Sequence, residues 1–206
     1  MKKIEILDTT LRDGSYVNNF RINAETTFEV VKGLDRAGID YIEVGHGLGM
    51  NATTFENMKG ICSDVEWMEA TLKGINNSKW GMFFIPGIGR MEDIDLAASY
   101  NMDFIRIGAN ADEYDRAAPF IERAKEKGMF VFPNFMKTYA LPYNEIGDWA
   151  AKAVDYGSDL VCIVDSAGAM LPDEVEGYVK AVQNVTDRQI GFHGHNNLGL
   201  AISNSI

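Results

Sequence analysis

Apolar residues along the chain gather into short runs. Between the runs lie longer stretches in which apolar positions recur every three or four residues. The runs cover residues 4–7, 41–44, 80–85, 104–107, 130–135, 160–164 and 189–193. Each is short and bounded by turn-forming residues, so each predicts a strand. The intervening stretches predict helices. Asn23 can cap one that carries Phe28, Val31 and Leu34 on one face and stops at Gly38. Residues 115–127 carry mixed charge and end at Gly128, Pro172 opens 173–185, and the chain reaches Ile206 in the first turn of a seventh helix. Strands alternating with helices imply βα units and a parallel sheet. Three turns into strands share one form, Gly38-Ile39-Asp40, Asn101-Met102-Asp103 and Gly157-Ser158-Asp159, which suggests a repeated unit. No linker interrupts residues 1–206, which read as one domain.

Seven parallel strands leave two architectures, an open doubly wound sheet or a (β/α)8 TIM barrel truncated after about seven βα units. Full barrels run to roughly 250 residues, so the expectation is a barrel whose last part is missing. The barrel is preferred because Asp13, His46, Asn134, Ser166 and His195 all follow strand C-termini, where barrels build their sites. A glycine-rich dinucleotide fingerprint is absent, which counts against the commonest use of an open sheet.

Composition narrows the function. The net charge is −11 and no Lys/Arg run interrupts it, which argues against nucleic acid. No apolar stretch is long enough to span a bilayer. Met1-Lys2-Lys3, soon followed by Glu5 and Asp8, is too short a basic start for a signal peptide. With only Cys62 and Cys162, the expected setting is reduced and cytoplasmic.

The three histidines carry most of the chemistry. His193 and His195 are two apart at a strand end, so their rings share a face. With Asp13 they make a two-imidazole, one-carboxylate set that suits a divalent metal with open positions. A bare His-x-His pair could instead only close a strand. Arg12, beside Asp13, can fork a carboxylate or steady a developing enolate oxygen. Glu43 interrupts an apolar strand, where an ionised carboxylate needs a partner, and Arg12 and Arg106 are the candidates. Ser166 can hydrogen-bond a substrate carboxylate, or simply serve the turn Asp165-Ser166-Ala167-Gly168. His46 is a weaker candidate for substrate contact. Tyr16 could relay a proton, but it is a poor base unless its pKa, ordinarily about 10, is lowered.

Asp8-Thr9-Thr10-Leu11-Arg12-Asp13-Gly14 together with His193-Gly194-His195-Asn196-Asn197-Leu198-Gly199 resembles the DRE-TIM metallolyase superfamily. Within it, the 4-hydroxy-2-oxovalerate aldolases are most similar, through Glu43-Val44-Gly45-His46-Gly47, Pro86-Gly87-Ile88-Gly89, Asp165 to Met170 and Ala201 to Ile206. The resemblance implies Mn²⁺ or Mg²⁺ on Asp13, His193 and His195. It also implies a catalytic group of Arg12, Tyr16 and Glu43, in which Glu43 orients and does not react. Substrate contacts would come from Arg12, Asp13, Ser166, His193 and His46. The implied reaction cleaves a 4-hydroxy-2-oxo acid to pyruvate and an aldehyde. Tyr16 stands where these aldolases carry a catalytic histidine, which leaves the proton-transfer group open. The family also implies an acylating aldehyde dehydrogenase as partner, although the contacting region is not among these residues, and homo-oligomers are expected. Two alternatives remain, an acetyl-CoA-dependent Claisen synthase of the isopropylmalate or homocitrate type and a catalytically silent metal-binding barrel remnant.

Overall fold

A computed structural model describes residues 4–206. Met1-Lys2-Lys3, and the reading placed on them, lie outside the described residues. The chain divides into two compact units, residues 1–106 and 107–206.

The first unit contains strands β1 (Leu7–Asp8), β2 (Tyr41–Val44) and β3 (Lys79–Phe84), and helices α1 (Ala24–Ala37), α2 (Asp64–Gly74) and α3 (Met91–Ser99). Its strands are parallel and neighbour one another in chain order, with Leu7 opposite Tyr41 and Tyr41 opposite Lys79. Asn23 caps α1 by accepting from the Thr26 amide at 2.8 Å, and Gly38 ends the helix in the left-handed region at φ 79°. Ser63 and Glu66 form a reciprocal capping box on α2. Trp67, Trp80, Met68 and Met82 are buried between sheet and helices, and the Trp67 indole donates to the Ile22 carbonyl at 2.9 Å.

Strand β4 (Phe104–Asn110) runs across the division. The second unit continues with α4 (Ala118–Glu126), β5 (Phe130–Met136), α5 (Tyr143–Asp155), β6 (Leu160–Asp165), α6 (Pro172–Gln183), β7 (Gln189–Gly194) and the short α7 (Ala201–Asn204). Strands β5, β6 and β7 are parallel neighbours, with Cys162 opposite both Asn134 and Gly191. Val131, Phe135, Ile146 and Ile163 are fully buried, whereas β7 is only half-buried.

The rhyming turns share a physical role. Gly38, Asn101 and Gly157 each adopt positive φ, at 79°, 56° and 109°. The aspartate two residues later then accepts an amide in, or just before, a neighbouring strand: Asp40 from Ile6, Asp103 from Trp80 and Asp159 from Val131, at 3.0, 3.0 and 2.7 Å. A charged acceptor at each strand entry makes these hydrogen bonds strong.

Two boundaries differ from the expected ones. The first strand begins at Leu7 rather than residue 4, although the Tyr41 amide still reaches the Ile6 carbonyl at 3.1 Å. The helix expected over 115–127 begins as a 3₁₀ segment, Ala111–Ala117, broken at Glu113 (φ −128°). The α-helix starts only at Ala118, where Pro119 suits the first turn.

Candidate active site

Two groups of side chains stand beyond strand C-termini, one in each unit.

In the first unit, the turn after β1 is folded by its own backbone. The amides of Arg12, Asp13 and Gly14 all converge on the Thr9 carbonyl, at 3.1, 2.8 and 3.2 Å. Buried Ser15 then locks the turn by donating its hydroxyl to the Arg12 carbonyl at 2.6 Å. Arg12 is thereby aimed inward, with only 5% of its surface exposed. Its Nε donates to Glu43 Oε2 at 2.6 Å, and its NH1 donates to Asp13 Oδ1 at 2.7 Å and to the Gly47 carbonyl at 3.4 Å. Arg106 donates to the same Glu43 oxygen at 2.8 Å. The Phe83 ring lies against both guanidinium groups, 4.4 Å from that of Arg12 and 5.6 Å from that of Arg106. Glu43 is therefore charge-paired on both sides, as its burial requires.

Beside this cluster, Tyr16 meets Phe20 edge-to-face at 5.0 Å, and Phe20 stacks on the His46 ring at 3.9 Å. Gly47 sits beneath them. A Cβ there would come within 2.7 Å of both the Tyr16 and the Phe20 ring, so the close approach requires glycine. Asn19 and Phe20 both hold positive φ, 55° and 61°, a strained choice for a bulky residue. His46 is fully buried; its Nδ1 accepts from the Leu48 amide at 3.1 Å, which leaves the ring proton on Nε2. Burial pushes its pKa down, against a smaller opposing pull from the Met58 carbonyl, so the imidazole stays neutral. Tyr16 moves the other way. Burial raises its phenol, Arg12 opposes and Asp13 adds, and the net direction is up, so it carries its proton at neutral pH.

In the second unit, His193 is the penultimate residue of β7 and His195 directly follows the strand's last residue, Gly194. Their ring centroids are 5.1 Å apart at 66°, and a nitrogen of one lies within 4.8 Å of a nitrogen of the other. The loop after β6 supports them. The His195 amide donates to the Asp165 carbonyl at 3.2 Å, and the Leu198 amide to the Gly168 carbonyl at 3.0 Å. The Asp165 side chain in turn accepts from the Met170 amide at 2.9 Å. Ser166 Oγ accepts from the Lys137 amide at 3.0 Å, which leaves its own O–H to donate elsewhere.

The structure thus brings Arg12, Asp13 and Glu43 together, places Tyr16 and His46 on either side of Phe20, and brings His193 and His195 together. The donor set of Asp13, in the first unit, and the two imidazoles, in the second, suits a divalent cation in its chemistry, one carboxylate oxygen and two nitrogens. Sequence reasoning missed Ser15, Phe83 and Gly168. Ser15 acts on a backbone carbonyl through its hydroxyl, and Gly168 acts by lacking a Cβ. Phe83 offered no signal beyond being one aromatic in an apolar strand.

Chemistry-bearing residues gathered after the strands of a βα repeat define an α/β barrel-class protein. The HMGL-like family pattern matches residues 3–206, and the chain belongs to this family. It is 37% identical to the oxaloacetate decarboxylase of Mycobacterium tuberculosis, over 98% of this chain and 59% of that protein. It is 38% identical to the 4-hydroxy-2-oxovalerate aldolase of Carboxydothermus hydrogenoformans, over 100% of this chain and 61% of that one. Among solved structures, the HMG-CoA lyase of Brucella melitensis shares the fold at a TM-score of 0.74 and 18% identity, covering 99% of this chain and 76% of that one. The chain spans about three fifths of the length of the curated relatives it matches. Among the described residues, no helix is long and apolar enough to cross a membrane.

Proposed function

We propose that this chain carries the catalytic segment of a divalent-metal-dependent carbon–carbon lyase that cleaves a 4-hydroxy-2-oxo acid to pyruvate and an aldehyde. The observation that supports this most is Arg12, a buried guanidinium fixed by Glu43 through Nε and turned with NH1 toward Asp13. Asp13, His193 and His195 would hold Mn²⁺ or Mg²⁺, within residues 1–206 acting as one domain. When bound, the cation would supply Lewis-acid polarisation of the 2-oxo carbonyl. Arg12 steadies the oxygen that gains charge as the C3–C4 bond breaks. Ser166 donates its hydroxyl to the substrate carboxylate. Tyr16, which keeps its proton at neutral pH, would donate it at C3 of the enolate and not abstract, the 4-hydroxyl proton passing to water. His46, neutral behind Phe20, shapes the wall beside Gly47.

The 37% identity to an oxaloacetate decarboxylase, with tyrosine in place of a catalytic histidine, favours a second reading. Retro-aldol cleavage must remove the 4-hydroxyl proton, whereas loss of CO₂ from a 2-oxo acid that carries a second carboxylate on C3 needs no such base and only a proton donor at C3. The oxaloacetate decarboxylase relative is consistent with this route. Both reactions release pyruvate. The test is to incubate the full-length protein and Mn²⁺ separately with 4-hydroxy-2-oxopentanoate and oxaloacetate, following pyruvate with lactate dehydrogenase against enzyme-free blanks. Aldehyde release supports the aldolase reading and catalysed CO₂ release the decarboxylase reading. Free CoA formed from acetyl-CoA and a 2-oxo acid would replace both with a synthase, and no turnover of any substrate would leave a silent metal-binding barrel. We also propose a cytoplasmic, self-associating protein, and by family resemblance an aldehyde-consuming dehydrogenase as partner.

A further inference from the structure

We propose that Arg106 is a positioning residue that sets the direction in which Arg12 presents its guanidinium, acting through Glu43 and Phe83. The inference rests on the lyase reading for its purpose but not for its geometry. Arg106 is 1% exposed and lies on β4, and Glu43, on β2, is wholly buried. Both arginines donate to one and the same carboxylate oxygen, Glu43 Oε2, at 2.6 and 2.8 Å. Both lie against the same Phe83 ring.

An isolated arginine–carboxylate pair favours two parallel bonds, fork to fork. That arrangement would engage two nitrogens of Arg12 with Glu43. Here the second arginine claims a place on the shared oxygen, and Arg12 reaches it through Nε alone. The NH1 of Arg12 is thereby left pointing at Asp13 and the Gly47 carbonyl. Phe83 prevents the guanidinium plane from tipping. Charge balance agrees: Arg12 shares its charge between Glu43 and Asp13, so Arg106 completes the neutralisation of buried Glu43 while NH1 of Arg12 stays with Asp13. A lysine would supply that charge as a single point, whereas arginine also supplies the fork and a flat face for the ring.

The experiment is a ¹⁵N–¹H spectrum of arginine Nε groups in the full-length protein, with the Arg12 signal assigned by its loss in Arg12→Lys. In Arg106→Gln with an otherwise native amide spectrum, the Arg12 Nε–H signal should shift and exchange with water faster. On whichever substrate is turned over, kcat should fall about 10- to 100-fold with KM changed less than about threefold, since placement of a transition-state donor is lost. The double variant Glu43→Gln/Arg106→Gln should be no slower than Glu43→Gln alone, because both act through one oxygen. An unmoved Arg12 signal in folded Arg106→Gln, or strictly additive losses in the double variant, would overturn the proposal. If Arg106→Gln does not fold, Arg106→Lys is measured in its place, and an unmoved signal with unchanged kcat there overturns it equally. The spectrum needs no substrate, so it decides the role of Arg106 even if the lyase reading fails.

Discussion

Gly168 lies directly beneath the backbone of His195. A Cβ at residue 168 would fall 2.7 Å from the His195 carbonyl oxygen and 2.5 Å from the Asn197 amide nitrogen. Its φ of 63° adds a second reason for glycine. Gly168→Ala should therefore displace the loop that carries His195 while leaving the buried strands intact. Mn²⁺ affinity, measured by titration calorimetry, should fall about tenfold or more, the scale reported for disturbing groups that orient a metal ligand. Unchanged affinity in a folded variant would show that His195 is not held from below.

Metal binding itself should appear as stability. A ligand present at about 100 times its Kd and bound only to the folded chain adds about 2.7 kcal/mol. Urea unfolding with Mn²⁺, and again after chelation, should differ by an amount of that order. His193→Ala should abolish the difference. A wild-type curve indifferent to Mn²⁺ would remove the metal from the proposed function.

Asp35 ties α1 to the turn before β3. Its Oδ1 accepts the amides of Asn76, Asn77 and Ser78 at 3.2, 2.7 and 2.7 Å. Burial pushes the carboxyl up, but these donors outweigh it and hold the group well below the usual carboxylate range. A depressed acid contributes stability that is fully present above its unfolded pKa, near 4, and is lost as pH falls toward the folded value. Asp35→Ala should cost about 1–3 kcal/mol at pH 7, since three part-buried amides lose a charged acceptor. The penalty should shrink below pH 4. Denaturant melts at pH 7 and pH 3 would reveal a pH-independent penalty if this account is wrong.

Asp64 has the opposite sign. It is buried at the start of α2 and accepts the Asn51 amide at 2.6 Å. Burial raises its pKa to about 6, the Asn51 bond opposes, and the Asp93 charge adds to the rise. Between about pH 4 and 6 the folded chain binds the extra proton, so this group makes the protein less stable as pH increases through that window. Above pH 6 the loss is complete. Asp64→Asn keeps an acceptor for Asn51 without the charge, and should gain on the order of 1–3 kcal/mol at pH 7 but little at pH 4. Equal melts for variant and wild type at pH 7 would refute this.

How much of this was legible beforehand varied with the kind of signal. Tyr41 to Val44 was read to the residue because four buried positions stand between Asp40 and a glycine. The 3₁₀ start before α4 was not, since Asp112, Glu113, Asp115 and Arg116 are equally at home in either kind of exposed helix. In the site, Glu43 and Arg106 stood out because a charge inside an apolar run must find a partner. Arg12 and the histidine pair stood out through their spacing. Phe83, Ser15 and Gly168 did not, because a ring under two guanidiniums, a hydroxyl on a carbonyl and a missing methyl depend on which distant segments meet. His46 illustrates the same limit: its position after β2 was plain, but its enclosure behind Phe20 depends on a turn that doubles back from β1.

That enclosure has a price in local rigidity. Phe20 keeps its ring on the imidazole only while its backbone occupies a conformation that costs about 1–3 kcal/mol. The turn therefore contributes less than its neighbours to holding the first unit shut, and its amides should be among the earliest there to trade hydrogen for deuterium. Whenever it relaxes, water reaches a nitrogen that is otherwise kept dry, and His46 briefly becomes an ordinary solvent-facing histidine.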